Sequence, residues 1–186
     1  QALGFLFLDR SKQPVGRGGK GLGSLQHIQM HRIHPLLRKS RILVACDVDN
    51  PLIGPKGAAA VFGPQKGATS NMVRKLDQSL AKLSQIIQRS TGQDISQHPG
   101  TGAAGGIAGS FMGLLGAQLL PGSDLVFDLL KVRRWVPRVD CIITGEGQID
   151  FQTPFGKGPG MLAKIAKEHQ IPVIGIAGSI GKDVSD

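Results

Sequence analysis

The chain has 186 residues, 40% of them hydrophobic and 19% charged; this balance excludes an intrinsically disordered polymer and allows one ordinary domain or two small ones. Two isolated cysteines, Cys46 and Cys141, exclude a disulfide framework or a cysteine-built zinc site. The net charge is +9, and eight basic residues precede Cys46 against the single acid Asp9. Few aromatics and no recognisable motif accompany those charges, so they point away from nucleic acid and toward a solvated basic face or attraction of anionic substrates.

In chain order, Gly4–Leu8 reads as a short strand, followed by a polar, glycine-rich turn as far as Gly23. Ser24 is placed to cap a short helical or irregular stretch. The apolar run Arg41–Cys46 predicts a buried strand ending at Asp47. Residues 50–67, rich in Gly and Pro, read as a long ordered loop of the kind that is often functional. Met72, Leu76, Leu80, Leu83 and Ile87 recur at helical spacing, with Thr69 or Ser70 as cap and Gly92 as stop. A second helix is expected over 100–116 and a third from Ser123 toward Trp135. Val139–Thr144 reads as a strand followed by a Gly-Glu-Gly turn. A fourth helix over 159–169 and a strand over 172–177 complete the pattern. The alternation in the second half predicts an α/β fold: parallel-sheet layers with covering helices, and ligands at the carboxyl ends of strands. Both cysteines fall in strand-like runs, which predicts reduced core thiols in a cytoplasmic protein.

Three segments carry chemistry. Asp47 and Asp49 would share one side of an extended strand end, where they suit a magnesium ion or the uptake of a hydroxyl proton; taken alone, the pair reads slightly better as an Asx-type turn. Pro99–Gly106 opens a helix of small residues, and its glycines suit close approach of backbone to a phosphate. Close helix packing explains the same residues. A membrane span is disfavoured because the strongly apolar part is shorter than the ~20 residues a span needs. The third segment, Thr144–Thr153 with Gly156, Lys157 and Pro159, is the densest. It combines Glu146, Asp150, Gln148, Thr153, three glycines and a lysine within one connection, an inventory that suits phosphoryl transfer. His27, His31 and His34 fall at helical spacing, but Pro35 and the lack of nearby carboxylates favour surface histidines over a metal site.

Four motifs, in order and spacing, closely resemble the bacterial glycerate kinase family: Asp47-Val48-Asp49-Asn50-Pro51-Leu52 with Gly54-Pro55, Ala60–Ala68, Pro99–Gly106, and Thr144–Gly147 with Asp150, Gln152, Thr153, Gly156 and Lys157. The resemblance spans most of the chain and is that of a central to C-terminal part of a longer enzyme. It implies a two-domain α/β fold, with residues 1–122 in a substrate-side domain and 123–186 in a Rossmann-like one, and a site in the cleft between them. It also implies ATP and Mg²⁺ as cosubstrates and phosphorylation of glycerate to 2-phosphoglycerate, with neither nucleic acid nor membrane as partner. Carried onto this sequence, the expected catalytic residues are Asp47, Asp150 and Lys157, and Glu146 and Asp150 are expected to hold the metal. Asp49, Asn50, Gln65 and Lys66 are expected on the acceptor side, and Gly102, Gly105, Gly106, Gly145 and Gly147 against phosphate. The other readings are a binding fragment without turnover and, less favoured, a basic nucleic-acid-binding protein.

Overall fold

The computed structural model describes residues 2–150, 153 and 158–181. The chain divides into two compact units, 1–120 and 121–186.

The first unit is organised around one long helix. Leu80, Leu83, Ile86 and Ile87 are buried on one face of α4 (Ser70–Thr91), as the three-to-four-residue spacing of its apolar positions dictates. The Thr69 hydroxyl accepts from the Met72 N–H at 3.3 Å to cap its start. Gly92 ends it in the left-handed conformation at φ 78°, donating to the Gln88 carbonyl. Leu25, Leu52, Ile95 and Phe5 complete the core around this helix.

Four short strands flank it. β1 (Leu6–Leu8) and β2 (His27–Gln29) pair antiparallel. Between them lies α1 (Gly18–Leu22), where a turn was expected. β2 occupies the region read as helical or irregular, so His27 lies on a strand rather than a helix face. The helix α2 (Pro35–Lys39) follows, with the His34 ring accepting from Leu36 N–H; all three histidines of the group are exposed. β3 (Leu43–Ala45) and β4 (Gln118–Leu120) pair in parallel. The crossover between them contains α3 (Ala58–Phe62), a 3-10 turn (Pro64–Lys66), α4, and α5 (Ala103–Leu115). The segment 50–67 is thus a helix-containing connection rather than a loop throughout. The Asp94 carboxylate accepts from the Ser96 N–H at 2.8 Å before α5. That backbone bond, then the Ser96 hydroxyl, holds the Asp94 carboxyl below its ordinary range. The contribution is therefore present above the ordinary carboxylate pKa and lost as pH falls through the lowered one.

The second unit begins with α6 (Gly122–Leu129) and α7 (Val132–Trp135). Lys131, at φ 55°, breaks what the sequence suggests is one helix. β5 (Ile142–Ile149) and β6 (Val173–Ile180) pair in parallel across the α8 helix (Gly158–Glu168). Val136, Ile165 and Ala166 form the buried centre, with Ile142 and Val173 packed against it. The opposite sheet face carries exposed Ile143, Ile174 and Ile176. Cys46 is half-buried and Cys141 exposed, so the expectation of a core thiol fails for Cys141, which precedes β5 rather than lying inside it. Among the described residues, no helix is long and apolar enough to cross a membrane.

The packing of α5 on α4 depends on small residues. A Cβ at buried Gly113 would lie 2.5 Å from Ile87 Cγ2 and 3.0 Å from Ile95 Cγ2. Both neighbours are β-branched and stiff. Gly113→Ala is expected to lower unfolding free energy by about 1–3 kcal/mol in chemical denaturation; an unchanged midpoint would contradict this packing.

Candidate active site

At the carboxyl end of β3, the first unit encloses an open cavity of about 880 Å³. Four separate stretches build it: Val15–Gly19, Ala45–Val48, α3 with Lys66, and Ala103–Ile107. Its charged lining residues are Arg17, Asp47 and Lys66, and Phe7, Val15, Leu22, Leu76, Leu80 and Leu83 supply apolar walls.

Asp47 lies two residues beyond the end of β3 and is exposed. Because the strand stops at Ala45, alternation along a strand does not extend to Asp49, which is exposed outside the cavity lining. The Cys46 thiol, beside Asp47, donates to the Val48 carbonyl at 3.3 Å. Asn50 is a brace: its Nδ2 donates to the Lys56 carbonyl at 2.9 Å, and its own carbonyl accepts from the Gly102 N–H at 2.9 Å. Of the neighbouring pair, Lys66 lines the cavity and exposed Gln65 does not.

The glycine-rich segment has a geometry that periodicity does not foresee. Ala104, Gly105 and Gly106 have φ values of 50°, 71° and 96°, a left-handed turn set into the first residues of α5. Only the last two are of the type that adopts this conformation at no steric cost. The N–H groups of Gly102, Ala103 and Gly105 donate to the carbonyls of Asn50, Gly100 and Gly102 at 2.9–3.1 Å. Gly102 and Gly105 therefore spend their N–H groups on shaping the turn, which corrects the reading that both offer them to phosphate. Ala103 through Gly106 all border the cavity, with Ala104 and Gly105 exposed.

In the second unit, Gly145, Glu146 and Gly147 are strand residues of β5, not the turn after it. Gly145 is in register with Ile176. A Cβ there would stand 2.9 Å from the Ile176 carbonyl oxygen, so the glycine serves close strand pairing. Half-buried Glu146 accepts from the Thr153 hydroxyl at 2.8 Å, and that same oxygen accepts from the Asp150 N–H at 3.1 Å. Thr153 thereby ties the two carboxylate residues together. Thr144, Glu146 and Thr153 line a smaller cavity of about 310 Å³ beneath Pro159, Gly160 and Ala163 of α8. Among the described residues, no three His, Cys, Asp or Glu side chains cluster as a metal cage. A magnesium ion accompanying a nucleotide needs only one or two carboxylates, and Glu146 with Asp150 fits that donor set. Lys157, Gln152 and Gly156 lie outside the described residues.

The sequence reading missed the Gly16-Arg17-Gly18-Gly19 wall. Its signal was present as three glycines around an arginine, read there only as a polar turn.

The first unit is thus an α/β scaffold with a polar-mouthed cavity at the carboxyl end of a parallel strand pair, the usual ligand position in such sheets. The chain belongs to the glycerate kinase family, whose family model matches residues 1–186. It is 45% identical over 182 residues to a glycerate kinase of Halalkalibacterium halodurans, covering 98% of this chain and 48% of that protein. It is 42% identical over 184 residues to the glycerate 2-kinase of Escherichia coli, covering 99% and 48%. A solved structure of a candidate glycerate kinase 2 from Salmonella typhimurium LT2 superposes with a TM-score of 0.88 at 41% identity, covering 97% of this chain and 50% of that one. The chain therefore spans about half the length of the relatives it matches.

The contact between Gly102 and Asn50–Pro51 is tight enough to exclude a side chain: a Cβ on Gly102 would collide with the Pro51 carbonyl oxygen. Gly102→Ala is expected to destabilise the 100–106 turn locally by about 1–3 kcal/mol. Amide hydrogen exchange across that segment should accelerate by about tenfold or more, and unchanged protection would refute the proposed role.

Proposed function

We propose that this chain supplies the acceptor-binding and metal-binding parts of a cytoplasmic kinase that transfers a phosphoryl group from ATP to glycerate, giving 2-phosphoglycerate. The observation that carries the reading is the meeting of Asp47, Lys66 and the left-handed Ala104–Gly106 turn around one cavity. Family membership and the names of the relatives support the same acceptor.

In this reading, the glycerate hydroxyl oxygen attacks the γ-phosphorus of ATP. The Asp47 carboxylate takes the hydroxyl proton. The bond from the γ-phosphorus to the β–γ bridging oxygen breaks, and ADP leaves with that oxygen. Lys66, which lines the cavity, holds the anionic acceptor, and Asn50 braces the segment that carries Asp47. Backbone of the Ala104–Gly106 turn meets phosphate charge, with Gly102 setting its position. Glu146 on β5 and Asp150 just beyond its end would hold Mg²⁺ with the nucleotide, positioned by Thr153. Magnesium would neutralise charge on the phosphate oxygens. Lys157 adds a positive charge to the same task.

The experiment is D-glycerate-dependent ADP formation from Mg-ATP by the full-length polypeptide. Turnover that requires both glycerate and Mg²⁺ is expected, and its absence in a folded protein contradicts the proposal. Asp47→Asn should lower kcat by about a hundredfold or more, the scale of a lost general base. Glu146→Gln should lower it by about tenfold or more, the scale of a lost positioned charge. Near-unchanged kcat in either variant removes that residue from the mechanism.

A further inference from the structure

Arg17 is the unabsorbed charge in the first unit's cavity. It occupies the position before α1 in extended backbone, with φ −75° and ψ 154°. Its side chain is exposed and makes no hydrogen bond or ion pair among the described residues. The backbone that presents it is pinned. Val15 is buried, and its N–H donates to the Phe7 carbonyl at 2.9 Å. Gly19 lies so close to Leu76, and Gly21 to the Gly16 carbonyl, that a Cβ at either glycine would collide. From Gly16 to Gly19, Arg17 alone carries a side chain, and all four residues line the cavity with Asp47. A held loop of glycines displaying one long cation into a ligand cavity is preorganised to bind an anion.

We propose that Arg17 binds the carboxylate of the acceptor acid and so selects hydroxy acids over neutral alcohols. This inference rests on the glycerate kinase reading of the same cavity. In an α-hydroxy acid the carboxylate is bonded to the carbon that bears the reacting hydroxyl. A hydroxyl delivered to Asp47 therefore places the carboxylate in the same cavity. The planar guanidinium matches both carboxylate oxygens with parallel N–H donors, which an ammonium group cannot do. Lys66, a point charge lining the same cavity, complements this fork without replacing it.

The test uses full-length polypeptide carrying Arg17→Gln or Arg17→Lys. For Arg17→Gln, the KM and the calorimetric Kd for D-glycerate should rise by about tenfold or more, the effect of losing a hydrogen bond to a charged group. Arg17→Lys should recover only part of that loss. The KM for ATP should stay within about twofold and the thermal midpoint should hold, because Arg17 is exposed and unpaired. Turnover of glyceramide, which lacks the carboxylate, should be insensitive to both substitutions. An unchanged glycerate Kd, or an equal rise in the KM for ATP, overturns the assignment while leaving the kinase reading intact. Glycerate binding without turnover by the unsubstituted polypeptide defeats the kinase reading, and the Kd comparison still decides Arg17. No glycerate binding at all overturns both.

Discussion

The first unit depends on one backbone contact. Gly102 donates to the Asn50 carbonyl at 2.9 Å, and the approach leaves no volume for a side chain on Gly102. This contact joins the segment leaving β3 to the segment entering α5. It fixes Asp47, upstream of Asn50, relative to the left-handed turn at Ala104–Gly106. Residues more than fifty positions apart in sequence thereby border one cavity. The three consecutive positive φ angles carry a conformational cost at Ala104, where a Cβ is present. Surrounding bonds offset it, including Ala103 to Gly100 and Gly109 to Thr101.

A different constraint shapes the second unit. Parallel pairing of β5 with β6 continues through Gly145 and Glu146, and the glycine permits the Ile176 carbonyl to come close. The strand then presents Glu146 to the small cavity that Pro159, Gly160 and Ala163 of α8 also line. The Thr153 hydroxyl bonds to the Glu146 carboxylate and to the Asp150 backbone, so a loop residue sets the geometry of a strand residue. A carboxylate held by a strand and a hydroxyl is better positioned than one on a free turn.

Much of the scaffold was legible because local signals agreed with tertiary packing. The apolar spacing of α4, its Thr69 cap and its Gly92 stop act within a few residues, so the sequence reads correctly there. The parallel β5–β6 pair follows from strand–helix alternation, whereas the β3–β4 pair and the antiparallel β1–β2 pair do not. The failures come from long-range effects. Three-residue β4 is too short to show a period, and it forms because Leu43–Ala45 offers a partner. Gly145 and Gly147 carry a local turn signal that pairing with β6 overrides. Gly102 and Gly105 are rightly placed in the glycine segment, but their N–H partners are set by tertiary contacts. Arg17 was invisible as a site residue because its role arises from Gly19 and Gly21 packing against Leu76 and Gly16, not from a motif around it.

The proposed acceptor site is the cavity at the end of β3. The most direct measurement is a crystal structure of the full-length polypeptide with D-glycerate and a non-hydrolysable ATP analogue. Glycerate is expected in that cavity, its hydroxyl on the Asp47 carboxylate and its surroundings formed by Arg17, Lys66 and the Ala104–Gly106 turn. Glycerate bound elsewhere, with Asp47 and that turn untouched, would contradict it.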